Sequence, residues 1–530
     1  MENKPLNKQN SKIDWLITIV PLALVLVLCL LFFLIPDASQ NAITQINTFL
    51  GTKMGGFYIV LGLGIFIIAL ALSFSPIGKI VLGGQEEKPK YSFFAWGSMM
   101  FTAGLAADIL FYSFSEWILY ATDRHVAQLG DVEKWSGIYP LFHWSLIPWA
   151  FYLVLAVAFG FMLHVRNRDR QKYSEACRPI LGKHTDGILG RCIDLLATFA
   201  LLAGTATTFG LATPLMANII TDFFGLSISP VIVNIAILIA TCVVYTYALL
   251  HGIKGIGILA KACVWLFFGL LAYVLLLTGQ TRYIIETGLT SLWGMVKSFL
   301  PLSLAKTATG LFSATNETEA AFSQGYTIFY WAYWMTWCVA APFFIGSISR
   351  GRTVRQTLLG GFAFGVGSTI LSFVILGNYS MGMQFSGAAD FVAQYTADGN
   401  LYGAIIAMMK SMPGGAIVMV VVLVTMMLFY ATSFDSIAMI GACYSYKKLG
   451  ENEKPHKMIQ FMWCILLILL PIALLFSESS MGNLQAVAII AAFPIGFVII
   501  LITASFIKDA CKFLKEQKAL KKAQEETPAE

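Results

Sequence analysis

Long apolar segments with almost no charge dominate this chain, and they constrain its fold more than any other feature. A helix needs about 20 mostly apolar residues to cross a bilayer. Twelve segments meet this requirement, at 15–35, 56–76, 92–121, 138–163, 186–215, 228–249, 256–278, 323–346, 357–377, 415–445, 457–477 and 484–507. Only 12% of the 530 residues are charged, about half the share in soluble domains. The sequence predicts an all-α integral membrane protein with about 12 transmembrane helices.

Basic residues are distributed unevenly between alternate loops. With the N-terminus placed inside, 26 of the 35 Lys and Arg residues fall in inner loops and tails, and 7 fall in outer loops. Because cytoplasmic loops retain positive charge, we expect a multi-pass protein of the cell (plasma) membrane. Cytoplasmic tails at 1–14 and 508–530 would flank a membrane domain at 15–507. The net charge of +6 then reflects topology, and the expected partner is the lipid bilayer, with no nucleic acid.

Sequence motifs argue against an enzyme or a channel. The chain has no HExxH, nucleophile elbow or nucleotide-binding loop, and no segment has the pattern of a repeated selectivity filter. The 9 cysteines are scattered without a CxxC pair, so neither a thiolate metal site nor a cofactor is expected. These observations favour a transporter.

The order of the spans indicates an internal repeat. Apolar residues at helical spacing predict an amphipathic helix at about 281–300 along the outer interface: Ile285, Leu289, Leu292, Trp293, Val296 and Phe299. It divides the later spans into two sets of five, at about 92–278 and 323–507. Two five-helix units must have opposite orientations, and transporters built from such inverted repeats bind substrate beside interrupted helices at the midplane.

The first helix of the first expected repeat carries an acid. TAGLAAD at 102–108 places Asp108 midway along an apolar span. A charge at this depth is costly and needs a reason. Asp108 is either a structural carboxylate bonded to nearby groups, a counter-ion for a cationic substrate, or a proton carrier.

The first helix of the second repeat carries aromatic residues. In GYTIFYWAYWMTW at 325–337, Tyr326, Tyr330, Tyr333 or Trp334, and Trp337 recur on one helical face. An interfacial aromatic belt would occupy only the helix ends. A column of ring faces suits a cation that donates no hydrogen bond, which indicates quaternary ammonium.

Two further segments carry polar or aromatic groups at membrane depth. HWSLIPWAFY at 143–152 places Trp144, Trp149 and Tyr152 around Pro148, which can bend the fourth span. FYATSFDS at 429–436 places Thr432 and Ser433 in the tenth span. These hydroxyls either bond the preceding helical turn or serve as oxygen ligands for a small cation.

With these motifs in hand, the chain resembles the betaine/choline/carnitine transporter family along almost its whole length. The marks are HWSLIPWAFY, GYTIFYWAYWMTW followed by SRGR at 349–352, and TSFDS. The resemblance implies a leucine-transporter-like fold with two inverted five-helix repeats, two extra N-terminal helices, alternating access and often a homotrimer. It also implies a cage for trimethylammonium, with Trp337 and Tyr333 lining the same path. The implied cage residues are Trp144, Trp149, Tyr152 and Trp334.

The resemblance leaves the coupling ion open. Backbone oxygens of Thr102, Leu105 and Phe429 with the hydroxyls of Thr432 and Ser433 resemble the family's sodium site. Family members that move choline with protons have an aspartate at what corresponds to Asp108.

The expected function is therefore ion-coupled symport, by Na+ or H+, of a quaternary ammonium solute, with choline or glycine betaine as the leading substrates. The alternatives are a sodium-independent carnitine-type antiporter, or a carrier of another methylated or small zwitterionic amine. The resemblance implies that such exchangers carry a methionine on the eighth span and an arginine on the seventh. At what correspond to these positions, this chain has Ala341 and Cys263.

Overall fold

A computed structural model describes residues 13–526 except for 169, 252–254, 307–312, 448, 450–453 and 477–480. Most of the N-terminal tail predicted at 1–14, and residues 527–530 of the C-terminal tail, lie outside the described residues. The described elements are helices, as predicted for an all-α membrane protein. Two isolated bridges pair Ile13 with Tyr446 and Val81 with Thr353.

The N-terminal half contains fourteen α-helices within the described residues. They are α1 (Trp15–Leu34), α2 (Pro36–Lys53), α3 (Gly55–Phe74), α4 (Phe93–Thr102), α5 (Ala107–Ala121), α6 (Arg124–Gln128), α7 (Val132–His143), α8 (Leu146–His164), α9 (Tyr173–Ala176), α10 (Arg178–Leu181), α11 (Ile188–Phe224), α12 (Pro230–His251), α13 (Gly255–Leu277) and α14 (Thr281–Ser303).

The C-terminal half continues with α15 (Glu317–Phe322), α16 (Phe329–Trp337), α17 (Ala341–Ile348), α18 (Val354–Gly361), α19 (Gly367–Ser372), α20 (Asn378–Phe385), α21 (Phe391–Asp398), α22 (Leu401–Ser411), α23 (Gly415–Tyr444), α24 (Lys457–Phe476) and α25 (Met481–Glu526). A π-helical segment, Ser323–Ile328, joins α15 to α16. Two more, Phe362–Val366 and Phe373–Gly377, make α18 to α20 one continuous helix.

The spans agree with the hydropathy pattern. Nine described helices are long and apolar enough to cross a membrane, and two sharply bent pairs bring the number to 11. A shorter apolar helical segment, Lys457–Ala473 of α24, coincides with the predicted eleventh span. Backbone groups in lipid must be bonded within the segment, which explains why every apolar run is helical.

Helices also occupy segments expected to be outer loops. Polar α2 follows the first span with Pro36 at its first position, where the missing N–H costs nothing. α14 exposes the apolar side chains of Ile285, Leu289, Trp293 and Val296. Such a helix suits the membrane interface, where this segment was predicted to lie.

One end of the bundle gathers both chain termini and many of the basic residues. Arg166 bonds Asp509 and Glu516 of α25 at 2.8 Å each, and Arg168 bonds Asp509 at 3.0 Å. Asp14, just before α1, pairs with Arg191 at 3.6 Å. Asp14 and the 509–516 segment of α25 therefore lie at the same end of the bundle.

Candidate functional site

Among the described residues, two membrane spans bend sharply at a break, and they are the first spans of the two expected repeats. α4 and α5 meet at an angle of 63°, and the helix ending in α16 meets α17 at 58°. Backbone that leaves the helix at membrane depth is tolerated where it lines a cavity or is buried in protein. Both breaks border one cavity of about 420 Å³, within the size range of small-molecule sites.

The break in the third span positions Asp108. Residues 103–106 separate α4 from α5, and Asp108 lies in the first turn of α5. The residue is 5% exposed and is one of those that line the cavity. Oδ2 accepts a hydrogen bond from Tyr333 Oη at 2.6 Å, whereas Oδ1 has no partner among the described residues. A helix N-terminus stabilises a carboxylate, so this break supplies the cavity with a fixed acidic group.

The break in the eighth span follows from a proline. Pro342 has no N–H to donate to the carbonyl of Cys338, four residues earlier. The phenol of Tyr173 in α9 donates to this carbonyl instead. A side chain from the end of the bundle that carries the termini therefore stabilises the break.

The fourth span is interrupted by the same chemistry at the position that carries Trp144. Pro148 cannot donate to the Trp144 carbonyl, which accepts a hydrogen bond from Thr369 Oγ1 at 2.7 Å. The helix is interrupted at Trp144 and Ser145, between α7 and α8. The helix is therefore interrupted about one turn before the proline, whereas the bend of this span stays a prediction.

Aromatic rings from the fourth and eighth spans form one corner of the cavity. The Trp334 ring lies 4.7 Å from Tyr152 at an interplanar angle of 51°, and 5.8 Å from Trp144 at 69°. All three rings line the cavity, together with Tyr333 and Trp337. Faces that meet at steep angles present electron-rich surfaces from several directions to a guest, the arrangement that attracts methylated ammonium groups.

Trp149 lies behind this corner. Its ring centroid is 5.7 Å from that of Trp334 and 5.8 Å from that of Tyr152, but the residue does not line the cavity. A Cβ on Gly104 would come within 2.3 Å of this indole, and one on Gly365 within 2.4 Å. Trp149 is therefore wedged between two glycines and supports the rings in front of it.

The structure does not bring Tyr326 to the cavity. Its ring contacts Tyr120 at 5.0 Å and Phe322 at 4.9 Å, and its hydroxyl donates to the Leu119 carbonyl at 3.3 Å. The residue lies within the π-helical segment Ser323–Ile328. A π-helix turns less per residue than an α-helix. The α-helical spacing used in the sequence prediction therefore places Tyr326 on the same face as Trp334, whereas the π-helical segment directs it elsewhere.

The residues predicted to bind sodium all line the cavity: Thr102, Leu105, Phe429, Thr432 and Ser433. They come from α4, the break after it, and α23, so two elements contribute. Thr432 Oγ1 donates to Leu428 O at 2.8 Å, which leaves its oxygen lone pairs free to accept. Hydroxyl and carbonyl oxygens are suitable ligands for a hard cation.

A second buried acid, Glu116, escaped the sequence analysis. Its Oε2 accepts from Trp144 Nε1 at 2.5 Å and its Oε1 accepts from Tyr120 Oη at 2.5 Å. Tyr120 Oη is 2.5 Å from His143 Nδ1, and His143 Nε2 is 2.9 Å from Thr327 Oγ1. Glu116 follows Asp108 by eight residues on α5, a spacing that places both acids on one helical face. That spacing is the sequence signal by which Glu116 could have been found. In the structure, its hydrogen bond orients the Trp144 indole.

Comparison with known proteins shows a match along almost the whole chain. The model of the BCCT family, described as betaine/carnitine/choline family transporter, matches residues 16–514.

Three relatives illustrate the range of similar proteins. A glycine betaine transporter, OpuD of Bacillus subtilis, is 29% identical over 98% of this chain and 97% of its own length. A high-affinity choline transport protein of Escherichia coli is 24% identical over 95% of this chain and 73% of its own. A carnitine transporter of Acinetobacter baumannii is 26% identical over 83% of this chain and 79% of its own. The relatives differ in the solute that their names state.

Proposed function

Because this chain belongs to the betaine/carnitine/choline transporter family, we propose that it carries a quaternary ammonium solute by secondary active transport. It is a transporter and not an enzyme. The proposed cargo is choline or glycine betaine, moved across the plasma membrane by symport with an ion, with both termini in the cytoplasm.

One observation carries the proposal: the cavity between the two broken spans has an acid on one wall and a corner of aromatic rings on another. Asp108 comes from α5, Trp334 from α16, and Trp144 and Tyr152 from the interrupted fourth span. Ring faces attract a methylated cation electrostatically, and this attraction does not require the cation to donate a hydrogen bond. The carboxylate supplies the opposite charge.

Choline is favoured over glycine betaine by the charge on Asp108. Choline has no carboxylate of its own, so a fixed acid completes its charge balance. Glycine betaine would bring a second carboxylate into the same buried cavity, and like charges at close range disfavour binding. The sequence relationship supports both solutes equally, because relatives are named for each.

The coupling ion is Na+ or H+, and a different group supports each. Thr432 and Ser433, with the carbonyl-bearing residues Thr102, Leu105 and Phe429, offer oxygens for Na+. Asp108 offers a carboxylate for H+. A carnitine-type exchanger receives less support, because Cys263 and Ala341 line the cavity where the resemblance leads us to expect a fixed charge and a thioether. Lys261 is the basic residue two positions before Cys263, and its exposed side chain gives no support to a displaced fixed charge.

Transport by the full chain in proteoliposomes tests the proposal. Uptake of labelled choline, glycine betaine and carnitine is measured with a Na+ gradient alone, a pH gradient alone, and neither. Accumulation of choline with one gradient supports symport and identifies the ion. Uptake that requires only internal substrate, without either gradient, would replace symport with exchange. No uptake of any of the three solutes would contradict the proposed cargo.

A further inference from the structure

A short segment that follows the fourth span is buried, although connecting segments normally lie at the surface. Lys172, Tyr173 and Ser174 are 3%, 0% and 0% exposed. A lysine at this depth requires a partner for its charge, and a buried hydroxyl or peptide N–H requires an acceptor. We call residues 172–174 the strap, and its partners lie on two different spans.

Asp194 of α11 holds the first and last residues of the strap. Its Oδ1 accepts a hydrogen bond from the Ser174 N–H at 3.0 Å, and its Oδ2 accepts one from Ser174 Oγ at 3.0 Å. Lys172 Nζ lies 3.5 Å from the same Oδ2. Asp194 is itself 1% exposed. Both carboxylate oxygens are therefore used, and one buried charge fixes the strap to the fifth span.

Tyr173, between these two residues, contacts the break in the eighth span. Its phenol donates to the Cys338 carbonyl, which Pro342 leaves without a helical donor. Its ring centroid lies 6.2 Å from that of Phe343 in α17. The strap therefore connects α11 to the point at which the eighth span changes direction by 58°.

The part of the eighth span after this break, α17, forms a wall of the cavity. Phe344 of α17 lines the cavity, and so does Ile440 of α23. Ile440 lies one turn before α23 ends, and Tyr446 just beyond pairs with Ile13 at the start of α1. The cavity thus extends toward the end of the bundle at which α1 begins, so the direction of α17 affects access from that end.

From this arrangement we propose that the strap and Asp194 hold α17 in the direction that keeps the cavity accessible from this end. Tyr173 and Asp194 do not line the cavity, so they are positioning residues for the change of access during transport. A contact favours one state only if it is weaker in the other. The inference goes beyond the proposed function, because it concerns access to the cavity and not the identity of the cargo.

Thiol labelling of the full-length protein in detergent measures this access. Ile440→Cys places a thiol on the cavity wall, and a polar maleimide reports how fast it is reached. The chain without this substitution gives the background from the exposed Cys192 and Cys511. When Tyr173→Phe is added, the phenol proton is lost but the ring stays, and we expect the labelling rate to fall about fivefold or more. A rate within about twofold of that of the Ile440→Cys chain would overturn the inference.

Tyr245→Phe is the matched control for the loss of a buried phenol. Tyr245 is also buried, and it donates to a backbone carbonyl, that of Cys464, at 2.7 Å. Neither residue lines the cavity, so the labelling rate should stay within about twofold. A loss as large as that of Tyr173→Phe would contradict the proposal, because any lost buried hydrogen bond would then have the same effect.

A double variant tests whether Asp194 acts through Tyr173. Asp194→Asn removes the charge that faces Lys172 and should alone lower the labelling rate about as much as Tyr173→Phe. Because both changes act on one contact, the double variant should label within about twofold of the slower single variant, whereas independent effects multiply. Multiplied effects would contradict the proposal. If Asp194→Asn does not fold, Ser174→Ala takes its place in the same cycle, since it removes one donor to Asp194.

The labelling result is independent of the cargo, because the assay needs no transported solute. Unchanged labelling in the strap variants would overturn this inference and leave the proposed function intact. Absence of choline uptake would contradict the proposed function and leave the strap as it is.

Discussion

The two broken spans reach the same cavity by different chemistry. The third span breaks at 103–106 in a run of small residues and without a proline. The eighth span breaks at 338–340, just before Pro342. The first break starts a new helix whose first turn carries Asp108, and the second ends a helix whose face carries Tyr333, Trp334 and Trp337.

The difference indicates a division of labour. Small residues let the fourth span approach closely, since Trp149 packs onto Gly104, and the resulting helix N-terminus favours a negative charge. The proline break is stabilised from outside by the Tyr173 phenol, and its helix supplies rings. One broken span therefore provides the charge of the site and the other provides most of its shape.

Removing the charge should have the largest effect. For Asp108→Ala we expect the KM for choline to rise on the order of 100-fold, because a buried partner of a cation is lost. Proteoliposome uptake measures it. Asp435→Asn is the matched control, since Asp435 is also buried but does not line the cavity. A similar loss in both variants would mean that buried acids matter here for stability alone.

Removing the central ring should come next. Trp334→Ala deletes the indole that contacts both Tyr152 and Trp144, and a desolvated cation–π contact is worth about 2 kcal/mol. The KM for choline should rise about 30-fold. Trp331→Phe on the same helix is the control, because that ring packs onto Gly62 away from the cavity. Tight binding by Trp334→Ala would show that the corner is not the ammonium site.

Closing the space at the first break should have a moderate effect. In Gly104→Ala the new Cβ would lie 2.3 Å from the Trp149 ring, and overpacking costs about 1–3 kcal/mol. We expect about a tenfold rise in KM through displacement of Trp149. Gly64→Ala, where a Cβ meets nothing within 4 Å, should leave the KM unchanged. An unchanged KM in Gly104→Ala would show that the position of Trp149 does not affect choline binding.

Removing the donors to the freed carbonyls should have the smallest effect on binding. Tyr173→Phe leaves the Cys338 carbonyl without its donor, and Thr369→Val does the same for Trp144. Each should lower the free energy of unfolding by about 1–3 kcal/mol, measured as thermal stability in detergent. The KM for choline should change more in Thr369→Val, since Trp144 lines the cavity and Cys338 does not. A larger change in KM for Tyr173→Phe than for Thr369→Val would contradict the expectation that the Trp144 carbonyl matters more for binding than the Cys338 carbonyl.

Much of the fold could be predicted because lipid imposes a simple rule. A span must be apolar, long and helical, so hydropathy alone located the membrane helices. Asp108 and the ring column stood out because charge and clustered tryptophan are rare at that depth. Pro148 indicates an irregularity in the fourth span, because the proline cannot donate to the carbonyl four residues earlier.

Other features depend on tertiary contacts that no local pattern encodes. Tyr326 fails to reach the cavity because the π-helical segment Ser323–Ile328 changes the register. The role of Glu116 depends on the hydrogen bond that it accepts from Trp144 and on the hydrogen-bonded chain that begins at Tyr120. Trp149 is an aromatic residue of the kind expected in a cage, but it packs against two glycines behind the rings that line the cavity.

A structure determined with bound choline tests the central claim most directly, namely that the two broken spans act on one solute. The account predicts ligand density in the cavity, with the quaternary nitrogen within about 6 Å of the Trp334 ring and the solute in contact with residues of both broken spans. Density outside the cavity, or a nitrogen turned away from the rings, would contradict it.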